Sequence, residues 1–440
     1  MVGRKTVQAR LFHCLTASAA FGALVVSGQL AFATEAARVV SGGEEANPYD
    51  LNLTVGYSSA FNESQLKREG VGSNGQTEEG RDLIYKSSRN YLNLRADIGL
   101  LPDVGFFVTL PFVISDNRSL YFDQSSDACP SKDCIDSSNS STLRDGVLPG
   151  YGQSNFGYNG STGGQFSSPS RSLFKGPKRS GIEYLGAGLQ WAIFNQQRVD
   201  SEATWIVSFE SRLSVAKDQR FDPSNPSANT AAGLGYHQLV FGSMGSRRFG
   251  NVEPYLGGYY MLPVKTKDSI FRSQGLGENT FSNPQHRGGI QAGLDGIVYE
   301  DRKAGYRVGM EIRGGLEVRF LGLAQSQLWE PLGASSLCTT GTETACRPID
   351  QGDTNGDGMA DPHTGVVRSP TYGVFSGDVG LNATMGQYAR FRGMFGMVTE
   401  QDRFLTDGRS GVAVIDAPGR RYSVQHARGY RFFVEAGLVF

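Results

Sequence analysis

The chain contains one segment with the residue types and spacing of a calcium-binding loop. This segment reads Asp-Thr-Asn-Gly-Asp-Gly-Met-Ala-Asp and occupies positions 353–361. A hard cation such as Ca²⁺ prefers oxygen ligands, and oxygens at every second position can surround it where a glycine permits a tight turn. We therefore predict Ca²⁺ as a cofactor, bound through side-chain oxygens and one backbone carbonyl, that of Met359, with the ligands Asp353, Asn355, Asp357, Met359 and Asp361.

This segment resembles the calcium loops of EF-hands and of thrombospondin type-3 repeats. It departs from the EF-hand pattern because Thr364, rather than a glutamate, occupies the twelfth position. Asp350 could supply the missing carboxylate from the N-terminal side. An ordinary turn rich in Asp, Asn and Gly is the alternative interpretation.

Four of the five cysteines form two local pairs, Cys129 with Cys134 and Cys338 with Cys346. An even number of closely spaced cysteines in an exported protein favours disulfides. Free thiols are the alternative. A zinc site is not indicated, because no histidines lie at the required spacing.

Charged residues also alternate with apolar residues along strand-like segments. Within 306–320, the apolar side chains fall on one face and the arginines and glutamates on the other. A period of two over the whole segment predicts a β-strand that is longer than most strands of soluble proteins. One face is apolar enough to contact lipid, and the other suits a polar interior.

Eleven further segments follow this pattern, some of them weakly, which gives twelve predicted strands. They occupy 51–57, 91–100, 106–114, 182–194, 204–215, 237–249, 252–263, 290–298, 306–320, 375–385, 388–398 and 430–440.

The connections between these segments are long and short in strict alternation. Single-chain bacterial barrels have an even number of strands, short periplasmic turns and long external loops. We therefore predict an all-β fold, a transmembrane antiparallel up-and-down β-barrel of about twelve strands. The barrel domain would occupy 50–440, with the longest extracellular loops at 115–181 and 321–373.

The inner face of the predicted barrel carries charged residues of both signs, which suits a water-filled path for small solutes. A slight excess of arginine favours anionic solutes. Alternatively, opposite charges could pair across the barrel and fill it, leaving a structural anchor. The predicted lumen-lining residues are Arg95, Asp97, Glu210, Arg212, Arg307, Glu311, Arg313, Glu317, Arg319, Arg390 and Arg392.

Positions 1–33 have the features of a secretory signal peptide. Arg4, Lys5 and Arg10 precede an apolar stretch, and Ala-Phe-Ala at 31–33 supplies the small residues that a signal peptidase requires. We expect cleavage before Thr34 and a periplasmic N-terminal segment at 34–49. A retained N-terminal membrane helix is the alternative.

The composition excludes two other classes of protein. Lys and Arg number 42 against 43 Asp and Glu, so there is no basic excess for binding nucleic acid. The mean hydropathy of −0.30 is too low for a protein that spans a membrane with several apolar helices.

The last segment, 430–440, has an uninterrupted apolar face that ends in a terminal aromatic residue, Phe440. It resembles the assembly signal of bacterial outer-membrane β-barrels, in which apolar residues precede a terminal aromatic at every second position. The resemblance covers the mature chain as architecture. It implies an outer-membrane location, contact with the lipid bilayer, and the barrel-assembly machinery as a partner that recognises Phe440.

Positions 96–113 resemble a strand–turn–strand unit of outer-membrane channels associated with aromatic-degradation pathways. Both contain a Gly-Leu pair followed by Leu-Pro-Phe. This resemblance implies a channel but does not identify a solute.

Our first hypothesis is therefore an outer-membrane channel or porin that passes small solutes through a charged lumen. The alternative is a surface platform whose loops, stiffened by calcium and disulfides, bind a partner or matrix. An outer-membrane hydrolase is disfavoured, and no catalytic residue is predicted, because the histidines lie in no recognisable nucleophile–base arrangement: His237, His286, His363 and His426.

Overall fold

The computed structural model describes residues 39–44, 47–71, 74–123, 174–196, 198–199, 201–219, 230–267, 269, 271, 283–301, 304–325, 366–386, 388–407 and 422–440. These residues form nineteen β-strands. None of them belongs to a helix long and apolar enough to cross a membrane.

The strands follow one another along the described chain as β1 Gly42–Glu44, β2 Asn47–Tyr49, β3 Leu51–Val71, β4 Thr77–Leu101, β5 Val104–Phe122, β6 Phe174–Lys175, β7 Arg179–Ile182, β8 Leu185–Phe194, β9 Thr204–Leu213, β10 Tyr236–Ser246, β11 Val252–Lys265, β12 Arg287–Asp301, β13 Tyr306–Arg319, β14 Gly322–Gln325, β15 Val366–Ser369, β16 Tyr372–Met385, β17 Ala389–Glu400, β18 Arg403–Asp407 and β19 Tyr422–Val439.

Twelve of these described strands form a closed antiparallel barrel in which chain neighbours are also sheet neighbours. They are β3, β4, β5, β8, β9, β10, β11, β12, β13, β16, β17 and β19. The short strands β6, β7, β14, β15 and β18 continue the wall at the ends of the barrel strands, and β1 pairs with β2. The predicted fold, an up-and-down barrel of twelve strands, is confirmed.

The barrel closes where the first barrel strand meets the last. Backbone hydrogen bonds run from Leu51 N to Phe440 O at 3.2 Å and from Phe440 N to Leu51 O at 2.9 Å. The ladder continues along β3 and β19, with Leu53 opposite Leu438. A closed ladder satisfies the backbone polar groups internally, which lipid cannot do.

Leu51 and Phe440 lie at the end of the barrel that carries the short connections, here called the short-turn end. Several of these turns contain a glycine in the left-handed region, including Gly305 with φ 72° and Gly386 with φ 62°. Residues with a Cβ adopt this conformation only at a cost, so glycine permits the tight reversal. The opposite end, here called the long-loop end, carries the longer connections.

Strands β3, β4 and β5 extend much further toward the long-loop end than the alternation predicted. The predicted segments 51–57, 91–100 and 106–114 cover only part of each. The additional residues pair in register, for example Gln65 with Ile84 and Lys86 with Ser119. A ladder outside lipid needs no apolar face, so the hydrophobic pattern stops before the strand does.

The two faces of the barrel wall have opposite chemistry. Ile312 on the outer face is 60% exposed, whereas its neighbour Glu311 on the inner face is 1% exposed. Leu294 and Asp295 on β12 show the same inversion. A closed barrel with a wide exposed apolar surface is stable in lipid and belongs to the bacterial outer membrane. The predicted location is therefore confirmed.

Several predicted features lie outside the described residues. These are the signal peptide at 1–33, most of the loops at 115–181 and 321–373, all four paired cysteines, and the calcium ligands at 353–361. Within the residues that are described, no group of three or more His, Cys, Asp or Glu could hold a metal ion.

Candidate functional site

All eleven predicted lumen-lining residues lie on the inner face of the barrel, and each is buried or half-buried. Most take part in ion pairs with one another or with neighbouring strands. That they contact a solute remains a prediction.

Residues 39–42, part of the segment 34–49 that the sequence predicts as periplasmic, lie inside the barrel at the short-turn end. Val39 is 7% exposed and packs with apolar side chains of the inner wall, namely Ala192, Ile206, Met244 and Tyr255. The Ser41 hydroxyl accepts hydrogen bonds from the Asp103 backbone N–H at 3.2 Å and from Arg198 at 2.8 Å. This segment therefore narrows the lumen at this end.

Just above it, Glu311 and Arg392 form a buried pair between β13 and β17. The carboxylate accepts hydrogen bonds from Arg392 Nη2 at 2.6 Å and Nε at 3.1 Å. The Tyr255 hydroxyl donates a third hydrogen bond to Glu311 at 2.8 Å. Gly293 makes room for this ring, because a Cβ there would lie 2.2 Å from the Tyr255 oxygen.

A second ion pair, between Arg212 and Glu210 of β9, lies on the opposite wall of the barrel. Arg212 Nε donates to Glu210 at 2.8 Å, and the Thr109 hydroxyl donates to the same carboxylate at 2.8 Å. Nearby, Arg95 donates to Asp97 at 2.9 Å and lies over the Phe107 ring. Such pairing satisfies buried charges that would otherwise be costly.

In the middle of the barrel, Asp378 bridges two arginines. Arg313 Nε lies 2.9 Å from Asp378 Oδ2, and Arg431 donates to both carboxylate oxygens, at 2.6 and 2.5 Å. Three strands, β13, β16 and β19, contribute to this cluster. One carboxylate between two guanidinium groups leaves the cluster with an excess positive charge.

Toward the long-loop end, Arg319 is the centre of a larger network. It pairs with Glu317 at 2.7 Å and with Glu400 at 3.4 Å, and it donates to the Tyr372 hydroxyl at 2.8 Å. Arg403 pairs with Glu400 at 2.8 Å and lies 3.9 Å from the centre of the Tyr372 ring. Tyr259 donates to Glu317 from the neighbouring wall.

Beyond the apolar belt, Asp116 lies between Arg89 and Arg118. Arg118 Nη2 is 2.7 Å and Arg89 Nε 3.6 Å from Asp116 Oδ2. Burial alone would raise the pKa of Asp116, but the two arginines outweigh it and hold this pKa at about 2. The carboxylate is therefore charged at any physiological pH.

Two adjoining cavities occupy the half of the lumen nearer the long-loop end. The larger, of about 380 Å³, reaches down to Arg313 and Asp378. The smaller, of about 230 Å³, lies closer to the long-loop end and is lined by Tyr236 among others. Arg287, Arg319 and Glu400 line both, so they mark the boundary between the cavities.

Sequence reasoning missed several residues of this region, including Arg287, Tyr372 and Arg403. Each lies at the end of its strand, where the apolar alternation is lost. Glu400, the last residue of β17, was missed for the same reason. An unexplained cluster of charge just beyond a predicted strand end is the signal that could have identified them.

The histidines of the described residues hold no catalytic arrangement. The His237 ring accepts a hydrogen bond from the Ser214 backbone N–H, and His286 bonds the Tyr260 hydroxyl. The backbone N–H of His426 donates a hydrogen bond to the Asp402 carboxylate. No imidazole in this part of the chain is bonded to a carboxylate, as an acid–base pair would require.

No known family model matches the chain, and no curated protein matches it. Among solved structures, it is similar to the COG4313 outer membrane channel from Pseudomonas putida F1, with a TM-score of 0.39, 12% identity, and coverage of 92% of this chain and 100% of that chain. The beta domain of the Bordetella autotransporter BrkA gives a TM-score of 0.35 at 10% identity, covering 88% and 99%. The TodX monoaromatic hydrocarbon channel, in a mutant form, gives 0.30 at 9% identity, covering 89% and 90%.

Proposed function

We propose that this protein is an outer-membrane channel that passes small solutes through a charged lumen. The observation that carries the proposal is the pair of adjoining cavities inside the barrel, at the long-loop end. Their walls combine guanidinium and carboxylate groups with tyrosines, a lining that favours hydrated polar solutes. We take the long-loop end to face outward, as in other bacterial barrels.

At the floor of the larger cavity and below it, charged groups shape the rest of the path. The Asp378 cluster lines that floor, and the Glu311–Arg392 pair lies between it and the short-turn end. Because these pairs consist of side chains from different strands, they can separate without breaking the backbone ladder. A solute would therefore pass by exchanging its own polar contacts with those of the pairs.

The N-terminal segment narrows the path further, at the short-turn end below the charged pairs. Val39 and Val40 are buried at the short-turn end and belong to no barrel strand. A segment that does not take part in the ladder can move at a lower cost than a strand. We therefore propose that this segment closes the short-turn end and must move when a solute leaves.

Osmotic swelling of proteoliposomes tests this function. Liposomes that contain the purified barrel should swell in isotonic glycine or small sugars, and the rate should fall as the solute becomes larger. Liposomes prepared with heat-denatured protein are the control. Equal swelling rates with native and denatured protein, for all solutes, would refute the proposal.

A further inference from the structure

Two arginines face each other directly across neighbouring strands in the boundary region of the two cavities. Arg287 on β12 is the register partner of Arg319 on β13, and Arg319 is in turn the partner of Tyr372 on β16. Like charges directly opposite each other on one face of a sheet reduce its stability. This arrangement therefore needs negative charge nearby.

Only Arg319 has negative charge in direct contact, because Glu317 acts on Arg287 electrostatically without forming an ion pair with it. Arg319 has Glu317, Glu400 and the Tyr372 hydroxyl. Arg287, in contrast, forms no ion pair or hydrogen bond with any residue that the structure describes, and its buried Nε lacks a hydrogen-bond partner. A guanidinium group in this position can bind a carboxylate through two hydrogen bonds.

The balance of charge over both cavities points the same way. The acids among their described lining residues are Glu317, Asp378 and Glu400. Against these three stand six arginines: Arg89, Arg287, Arg313, Arg319, Arg403 and Arg431. The region thus has a cationic excess, and it attracts anions.

The smaller cavity adds an apolar wall next to these arginines. Tyr236, Phe271 and Leu323 form a buried cluster, with Leu234 packed against it. The Tyr236 and Phe271 rings meet edge to face, with their centres 5.5 Å apart. A wall of this kind binds the apolar body of a ligand, which a small hydrated inorganic ion does not have.

We infer that the two cavities form a binding site for a small organic monoanion, a carboxylate attached to a compact apolar body. The carboxylate binds Arg287 beside Arg319, and the body lies against Tyr236, Phe271 and Leu323. The smaller cavity, of about 230 Å³, fits a single substituted ring. The inference deepens the proposed channel function by naming the class of solute. Binding at this site is independent of that function, and only its role in transport rests on it.

Calorimetric titration of the detergent-solubilised protein tests the site directly. The probes are benzoate and benzamide, which share a shape but differ in charge. We expect benzoate to bind at least about tenfold more tightly than benzamide, because only benzoate makes charge-assisted hydrogen bonds. Equal affinities, or no measurable binding of benzoate, would overturn the inference.

Substitutions locate the interaction. R287Q should weaken benzoate binding by about tenfold or more and leave the affinity for benzamide unchanged, because only the charged contact is lost. R287K keeps the charge but lacks the planar guanidinium group, so it should bind benzoate with an intermediate affinity. The heat-dependent gel mobility of a folded barrel checks that both variants fold. Unchanged benzoate affinity in R287Q and R287K would contradict the role of Arg287.

R247Q is the matched control. Arg247 is an exposed arginine at the short-turn end, far from both cavities, where it bonds the Ser201 carbonyl. R247Q should bind benzoate as the wild type does, and an equal loss in R247Q and R287Q would overturn the site. Because binding is measured without transport, a barrel that binds benzoate but swells no liposomes refutes the channel and leaves this inference intact.

Discussion

Val39, which precedes every barrel strand, packs inside the barrel in one cluster with Tyr255 of β11. Tyr255 also donates a hydrogen bond to Glu311, whose other partner is Arg392. The N-terminal segment therefore packs against a side chain, Tyr255, that also bonds the buried ion pair. This relationship links closure of the short-turn end to the charged lumen above it.

A charge at position 39 should open this end. V39D would place a carboxylate among Ala192, Ile206, Met244 and Tyr255, where it has no cationic partner in the cluster. We expect the segment to leave the lumen and the rate of liposome swelling to rise severalfold. V39I, which keeps the apolar contact, is the control and should swell liposomes at the wild-type rate. Identical rates for V39D and V39I would show that the segment does not limit passage.

Removal of Glu311 should destabilise the barrel strongly. In E311Q, Arg392 loses its buried partner, and uncompensated buried charges cost about 3–5 kcal/mol. Urea unfolding in lipid vesicles, followed by tryptophan fluorescence, measures the change in the free energy of unfolding.

The control for this variant is E63Q. Glu63 pairs with Lys86 at 3.2 Å and with Arg428 at 2.9 Å on the exposed part of the wall, with a side chain that is 37% exposed. Exposed pairs contribute at most about 1 kcal/mol, so E63Q should unfold almost as the wild type does. If E311Q lost no more stability than E63Q, the buried Glu311–Arg392 pair would not stabilise the barrel.

The lipid-facing side of the wall is tested by I312R. Ile312 is 60% exposed near the middle of β13, and arginine at the bilayer midplane costs about 2–4 kcal/mol in such barrels. The variant should therefore unfold at a lower urea concentration in vesicles. E78R changes an exposed residue of β4 beyond the belt and should have almost no effect. Equal stability of the two variants would place Ile312 outside the lipid.

The calcium loop predicted at 353–361 lies outside the described residues and is tested in solution. Calcium titration of the purified protein, followed by calorimetry, should give one site that is lost in D357N, because the fifth-position carboxylate is a ligand in such loops. D402N, which changes an aspartate outside the loop, should retain the site. Absence of calcium binding by the wild-type protein would favour an ordinary turn.

The sequence predicted the barrel wall well because lipid imposes a strict alternation on it. The predicted barrel requires its first and last strands to meet, and the hydrogen bonds between Leu51 and Phe440 show that closure. Each lipid-facing position must be apolar, so the pattern is visible one strand at a time.

The inner face was only partly predictable. Alternation placed Glu311 and Arg392 on that face, but their pairing depends on which strands become neighbours around the barrel. Arg287 was missed because the long-loop end lies beyond the alternation. Val39 was missed because a segment that fills a lumen needs no periodic pattern, only a few apolar side chains.

Single-channel recording in planar bilayers tests the central claim, that the lumen conducts solutes, most directly. The wild-type barrel and a chain that lacks residues 34–42 should be recorded in the same lipid and salt. We predict discrete conductance steps from both, with larger steps from the shortened chain because its short-turn end is open. A folded, inserted barrel that gives no conductance step in either form would contradict the channel function.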